Sequence, residues 1–389
     1  MNYLASKKSC TGCMACVQVC PKQAIEIGCD ELGNTYPKIA EDQCIRCGKC
    51  QKHCPEQISL TAAMPRNAYA CWSLDANNRK TSASGGAAAE FYAAALEDGY
   101  WICGAEYASD GAVVHTLSRD FESIPRYKRS KYVFSDTLGI YGRIKDLLNQ
   151  GNKVLIISLP CKIAGLLAFL GKTYDNLLTV DIVCHGTPPA KMLQEHISHV
   201  AGVNDNFAIK FREDNLFLLS VESQGRKLYQ KIGKEDHYLA AFLTGLNYRD
   251  SCYQCQYAKP ERISDITICD FWGLGTEIPF EHPYTGSISA VLLNTEKGAL
   301  FFGESRSRLF VEERPVSEAI RGNAQLNAPT PMHPERDAFV EGCAEFGFDT
   351  TVSELLKDEI KAARRDNRRS AYRKTLRKCA GIFIKRYRG

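Results

Sequence analysis

At 389 residues, 44% hydrophobic and 24% charged, the chain has the make-up of a globular protein of two or three domains. Its eighteen cysteines do not read as a disulfide framework, which belongs to short secreted chains, and the opening "MNYLASKKSC" shows no apolar signal core. The expectation is a reducing cytoplasm in which thiols serve as metal ligands. The net charge of +4 divides unevenly: residues 357–389 hold 13 Lys+Arg against 3 Asp+Glu, so the tail is strongly basic and the body mildly acidic.

The first element is a repeated cysteine motif, "CTGCMACVQVCP" at 10–21 and "CIRCGKCQKHCP" at 44–55. In C-x2-C-x2-C-x3-C-P, three cysteines wrap one iron–sulfur cube and the fourth crosses to the other. That rule assigns Cys10, Cys13, Cys16 and Cys54 to one [4Fe–4S] cluster, and Cys44, Cys47, Cys50 and Cys20 to a second. A zinc ribbon would want two pairs of ligands, not a triplet with a displaced fourth, twice over. Between the motifs, "AIEIG" and "NTYPKIA" flank a turn at "CDELG", the pattern of a β-hairpin; Cys29 in that turn belongs to neither motif. Residues 1–62 therefore resemble the bacterial two-cluster ferredoxins over their whole length.

After a linker at "AAMPRN", "TSASGGAAAEFYAAALEDG" predicts a helix that stops at Gly99. Its N-terminal "SASGG" offers free backbone N–H groups to an anion. Strand-like "YWICGAEY" and "GAVVHTLS" follow, then "RYKRSKYVFSD" with Lys128, Arg129 and Lys131. A glycine-rich helix start and a basic segment suit a nucleotide phosphate; a helix cap beside a solvated loop fits the same residues.

Two units then share one layout. "KVLIISLPC" predicts an apolar strand ending at Cys161 and leading into helical "KIAGLLAFLG"; "NLLTVDIVC" predicts a strand ending at Cys184 and leading into "HGTPPAKMLQEHISHV" through Pro188 and Pro189. This reads as parallel α/β structure, and Pro160, Cys161 and Lys162 interrupt an apolar run otherwise long enough to suggest a membrane span. Neighbouring strands would set Cys161 and Cys184 side by side beyond their carboxyl ends, where ligands bind in such sheets. Downstream, "CYQC" supplies Cys252 and Cys255. These four cysteines make a candidate third [4Fe–4S] site; a local thiol or zinc pair plus two buried cysteines is the other reading.

The stretches "SASGG", "RSKYVFSD", "LPCKIAGL", "VDIVCHGTPP", "CYQCQYA" and "SDITICDFWG" together resemble the coenzyme F420 hydrogenase/dehydrogenase beta subunit family, over roughly the first 300 residues with the ferredoxin segment. The resemblance implies FAD beside a [4Fe–4S] cluster. It favours the third cluster, and a flavin phosphate site at Ser82, Ser84, Gly85, Gly86, Ser130, Lys131 and Tyr132. Lys162 stands where relatives often carry glutamine, Pro189 replaces a serine and Cys269 a glycine, so the substrate of the name-giving members does not transfer.

The expected architecture is multidomain, α+β and α/β. A ferredoxin domain at 1–62 precedes the two parts of a flavin domain, 66–148 and 149–345, and a basic helical tail at 346–389. The expected function is an iron–sulfur flavoprotein oxidoreductase. It would pass electrons between a ferredoxin-like partner, the clusters and a flavin acting on a small-molecule substrate, with His185 and Lys162 as candidate proton donors. The alternative is a non-catalytic electron-transfer subunit of a larger complex. No G-x-G-x-x-G follows a strand, which leaves a Rossmann nicotinamide site without support. In the tail, Tyr372, Leu376, Ile382, Phe383 and Ile384 lie among arginines and lysines. Peripheral contact with an anionic membrane is one reading and a solvated helix another, and no nucleic-acid-binding signature accompanies the charge.

Overall fold

Val154 and Ile156 face one side of their strand and Leu155 and Ile157 the other, and all four are fully or nearly fully buried. A strand apolar on both faces belongs inside a sheet covered on both sides. In the computed structural model, which describes residues 4–213 and 216–370, that strand is β7 (Val154–Ser158) of a nine-stranded mixed sheet. Its neighbours β4 (Trp101–Tyr107) and β8 (Leu177–Ile182) run parallel to it, and β12 (Ile266–Asp270) runs parallel to β8. On the β12 side lie antiparallel β13 (Ser289–Leu293), β3 (Asn67–Ser73) and β14 (Leu309–Arg314); beyond β4 come β5 (Val113–Ser118) and β6 (Ser135–Asp136).

One face of the sheet packs against helices Ala87–Glu97 and Glu296–Ser305 through Phe91, Tyr92, Phe301 and Phe302. The other packs against Ile140–Asn149 and Pro160–Leu170, and this cluster also takes in Cys13 and Ala15 of the N-terminal segment. That segment carries the expected hairpin, β1 (Ile25–Cys29) against β2 (Thr35–Ile39), with Ile25 opposite Ile39. Cys161 does not end a strand. Proline is tolerated at the first helical position because its missing N–H is not needed there, and Pro160 opens the helix that holds Cys161 in its first turn.

An antiparallel three-stranded sheet, β9 (Phe207–Glu213), β10 (Leu216–Ser223) and β11 (Arg226–Ile232), is inserted between β8 and β12. It shares a core with helices Ala190–Ala201, His237–Thr244, Arg336–Phe346 and Phe348–Leu355. Phe348, Val352, Leu356 and Ile360 are buried in it. The first part of the expected tail is therefore packed into the body; the chain is helical over 357–370, and the apolar tail residues from Tyr372 to Ile384 lie outside the described residues. Among the described residues no helix is long and apolar enough to cross a membrane.

Helix Phe348–Leu355 is pinned by a buried cluster. His196, 1% exposed, bridges Asp236 Oδ2 at 2.8 Å and Asp349 Oδ1 at 2.7 Å, and His237 Nδ1 lies 3.0 Å from the same Asp349 oxygen. Burial opposes a charge on His196, but the two carboxylates outweigh it and lift its pKa to about 9. A pKa raised on folding adds stability that is complete below the unfolded value of about 6.5 and is lost as pH climbs through the folded one. The thermal midpoint is thus expected to fall between pH 6.5 and 9. His196→Asn should flatten that slope at a cost on the order of 3 kcal/mol in the lower part of the window.

Candidate redox site

Cys10, Cys13, Cys16 and Cys54 line one cavity, and Cys20, Cys44, Cys47 and Cys50 line a second. Local backbone explains the wrapping: Gly12, Met14, Arg46 and Gly48 all have positive φ, which turns each cysteine triplet tightly around its centre. A third cavity is lined by Cys161, Cys184, Cys252 and Cys255. Adjacent β7 and β8 deliver Cys161 and Cys184, and the short turn Asp250–Gln254 and the residue after it deliver the other two. The "CHG" turn depends on Gly186, at φ +149°, because a Cβ there would run into the Tyr248 ring.

Burial pushes the Cys54 and Cys161 thiols up to about 12 and Cys255 to about 11, so thiolates here need a compensating positive centre. Among the described residues, no three His, Cys, Asp or Glu side chains converge in a way that would hold a single metal ion. One zinc would draw its sulfurs to within about 2.3 Å of a point; these thiols ring cavities.

The first and third thiol cavities share a wall. Thr11 borders both the Cys10 cavity and the Cys161 cavity. The helix Pro160–Leu170 reaches the first cysteine loop closely: a Cβ on Gly165 would lie 2.7 Å from Cys13 Cβ. Two buried cations occupy this junction. Lys162, 1% exposed, donates from Nζ to Gly12 O at 2.9 Å and lies 3.8 Å from the Phe134 ring centre. Arg249, equally buried, donates from Nε to Cys10 O at 2.7 Å and from Nη2 to Thr35 O at 2.8 Å, with its guanidinium 4.0 Å above the Tyr36 ring. Lys162, expected as a candidate proton donor, points from its helix into the cysteine junction and is not part of the large cavity's wall.

On the far side, Leu159, Cys184, His185, Gly186 and Thr187 separate the third cavity from a fourth of about 510 Å3. This space lies along the carboxyl ends of β7, β8 and β12. Ser82, Ser84, Ser130, Lys131 and Tyr132 line it, so two segments distant in sequence meet there. They are stitched together: Lys128 Nζ donates to Thr81 Oγ1 at 2.6 Å, and Arg129 Nε donates to Thr81 O at 3.1 Å. Tyr132 stacks on Phe242 at 4.6 Å. Burial pushes Lys131 down to about 7 and His185 below the usual histidine value.

Gly85 and Gly86 do not line the cavity; they shape the turn behind it. A Cβ on Gly85 would meet Cys71 O and come within 2.7 Å of Ser289 N, while Gly86 takes φ +93° as the helix cap. Cavity-lining His115, bonded to Ser158 Oγ at 2.7 Å, has no signature in the sequence, whereas Asp270, held by Arg212 Nη1 at 2.6 Å, stands directly before "FWG" in a stretch that carries the resemblance. Thr11 and Arg249 have no signature either, and their roles come from contacts across more than two hundred residues in the arginine's case. Asp181 and Asp265 make structural pairs, with Arg262 at 2.9 Å and Thr179 Oγ1 at 2.8 Å.

Residues 151–319 match the family model for the C terminus of the coenzyme F420 hydrogenase/dehydrogenase beta subunit. That range contains all four thiols of the third cavity and lies beyond the Ser82–Gly86 turn. Residues 9–58 match the 4Fe-4S dicluster domain. Among curated proteins none matches the chain. Among solved structures, a chain from "Xenon derivatization of the F420-reducing [NiFe] hydrogenase complex from Methanosarcina barkeri" is similar at 16% identity and TM-score 0.46, covering 76% of this chain and 92% of that one. The protein is thus an iron–sulfur protein that joins a 4Fe-4S dicluster domain to the C-terminal region typical of the coenzyme F420 hydrogenase/dehydrogenase beta subunit family.

Proposed function

We propose that the chain is an iron–sulfur flavoprotein oxidoreductase with three [4Fe–4S] clusters and one FAD. The observation that carries this reading is the series of shared walls: thiol cavity, thiol cavity, then a large polar-and-apolar cavity, joined through Thr11 and through Cys184–Thr187. Clusters move single electrons, and a flavin supplies the exchange between those and the electron pairs of a small-molecule substrate.

The ligand sets would be Cys10, Cys13, Cys16 and Cys54; Cys20, Cys44, Cys47 and Cys50; and Cys161, Cys184, Cys252 and Cys255. Within the large cavity, Ser130, Lys131 and the N-terminus of helix Ala87–Glu97 would bind phosphate, beside Ser82 and Ser84, whose hydroxyls donate to Asn78 O at 2.8 Å and Ile288 O at 3.2 Å. An anion there would hold the buried Lys131 charged. Tyr132 and Phe242 offer a flat apolar wall. His185 stands between the third thiol group and the large cavity, and its backbone carbonyl is fixed by Thr330 Oγ1 at 2.7 Å. A neutral imidazole there can hold or pass a proton at the cavity face.

Ala89, on the first turn of its helix and nearly buried, faces this cavity. Ala89→Trp should fill it and reduce bound flavin per chain by at least about tenfold, as overfilling a preformed pocket does, while the iron content stays at the wild-type level. Flavin retained in that variant would place it elsewhere. A cytoplasmic setting follows from the reduced thiols that this reading requires.

A further inference from the structure

The cavity lined by Cys20, Cys44, Cys47 and Cys50 adjoins the first thiol group, because Cys20 and Cys50 pack with Cys16 and Cys54, and it forms the outer end of the row. Cys47 is exposed, and beside it Ile45 is 58% exposed, among the most open large apolar side chains described. Lys22 and Lys49, both exposed, border with Ile45 the cavity lined by Cys20, Cys44, Cys47 and Cys50, and Arg46 and Lys52, also exposed, lie on the loop and short helix that carry Cys44, Cys47 and Cys50. Residues 43–53 contain three cations and no acid; Glu41 and Asp42 stand just before them. None of these four cations takes part in a described ion pair. The other thiol group of the segment is closed off: Cys10, Cys13, Cys16 and Cys54 are all buried, Cys13 within a core shared with the body and Cys16 and Cys54 in the segment's own small core.

We propose that this face is the docking site for an acidic one-electron carrier protein, and that electrons cross it through the Cys20, Cys44, Cys47 and Cys50 site. The inference rests on the cluster reading given above. Two features select this occupant. An apolar centre ringed by charge allows a close but transient contact, and the ring's sign favours an acidic partner, whose approach it would steer. In the forward direction the reduced carrier loses one electron and the chain gains it; no proton or group is transferred.

The test uses the full chain, purified anaerobically, with a purified acidic two-cluster ferredoxin as probe. Stopped-flow reduction of wild type should slow steeply as ionic strength rises. In the triple variant Arg46→Glu, Lys49→Glu, Lys52→Glu, the second-order rate should fall by at least about tenfold and lose its salt dependence. Reduction by photo-excited deazaflavin, a small donor with no docking surface, serves as the control and should match wild type. An unchanged rate with the ferredoxin, in a variant whose iron content and cluster spectrum are intact, overturns the docking face and leaves the cluster reading standing. An iron-free wild type overturns both.

Discussion

Cys184→Ser is expected to remove one four-iron centre, about four irons per chain, and to leave the dicluster segment intact. The thiol lies where it serves two cavities, beyond β8 and between the third thiol group and the large cavity. A serine hydroxyl is a poorer soft-metal ligand, and the remaining Cys161, Cys252 and Cys255 leave one corner of a cube open. Two spectroscopic signatures should persist and one should vanish. Chemical reduction of the N-terminal clusters should then no longer pass to bound flavin on the wild-type timescale. Cys269→Ser is the matched control: Cys269 lines the large cavity but not the third thiol group, so its iron content should equal that of wild type.

Lys162→Met should act on the same junction through charge. Lys162 is 1% exposed and has no carboxylate partner among the described ion pairs; its ammonium sees a carbonyl, an aromatic ring and the thiols of Cys13 and Cys161. An isolated buried ammonium is costly, and two net-negative clusters on either side would offset that cost. Without the ammonium only Arg249 remains at the junction to offset their charge. The midpoint potentials of both flanking centres should become more negative, and the loaded protein should lose about 3 kcal/mol of stability, as when one partner of a buried pair is removed. Lys162→Arg should recover most of both effects. Redox titration followed by electron paramagnetic resonance reads the potentials; unchanged potentials in Lys162→Met would remove the electrostatic role.

How much of this is legible in the sequence depends on how local each signal is. The double C-x2-C-x2-C-x3-C-P is fixed by spacing within short loops, so the dicluster segment and its hairpin can be read directly. The strands leading to Cys161 and Cys184 are legible because doubly buried strands are apolar throughout, as Val154–Ser158 is. The helix start at Pro160, ahead of the cysteine that the pattern assigns to the strand, is hidden because proline also ends strands. Arg249 is not legible: an arginine between a tyrosine and an aspartate looks solvated until the fold brings Cys10 O, Thr35 O and Tyr36 around it. Lys162 stands out only as a departure from a pattern, and the partner it meets, Gly12 O, lies 150 residues away. Gly85 and Gly86 read as phosphate ligands because a glycine-rich turn looks alike whether it faces an anion or packs on its neighbours; here Cys71 and Ser289 crowd Gly85, and Ser73, Asn78 and Ser82 lie against Gly86.

Three cluster sites beside a flavin cavity are tested by the iron and acid-released flavin content of the anaerobically purified chain. About twelve irons and one flavin per polypeptide are expected. About eight irons would remove the cluster on Cys161, Cys184, Cys252 and Cys255. Absence of flavin after reconstitution would leave an electron-transfer subunit with no centre at which to exchange electron pairs.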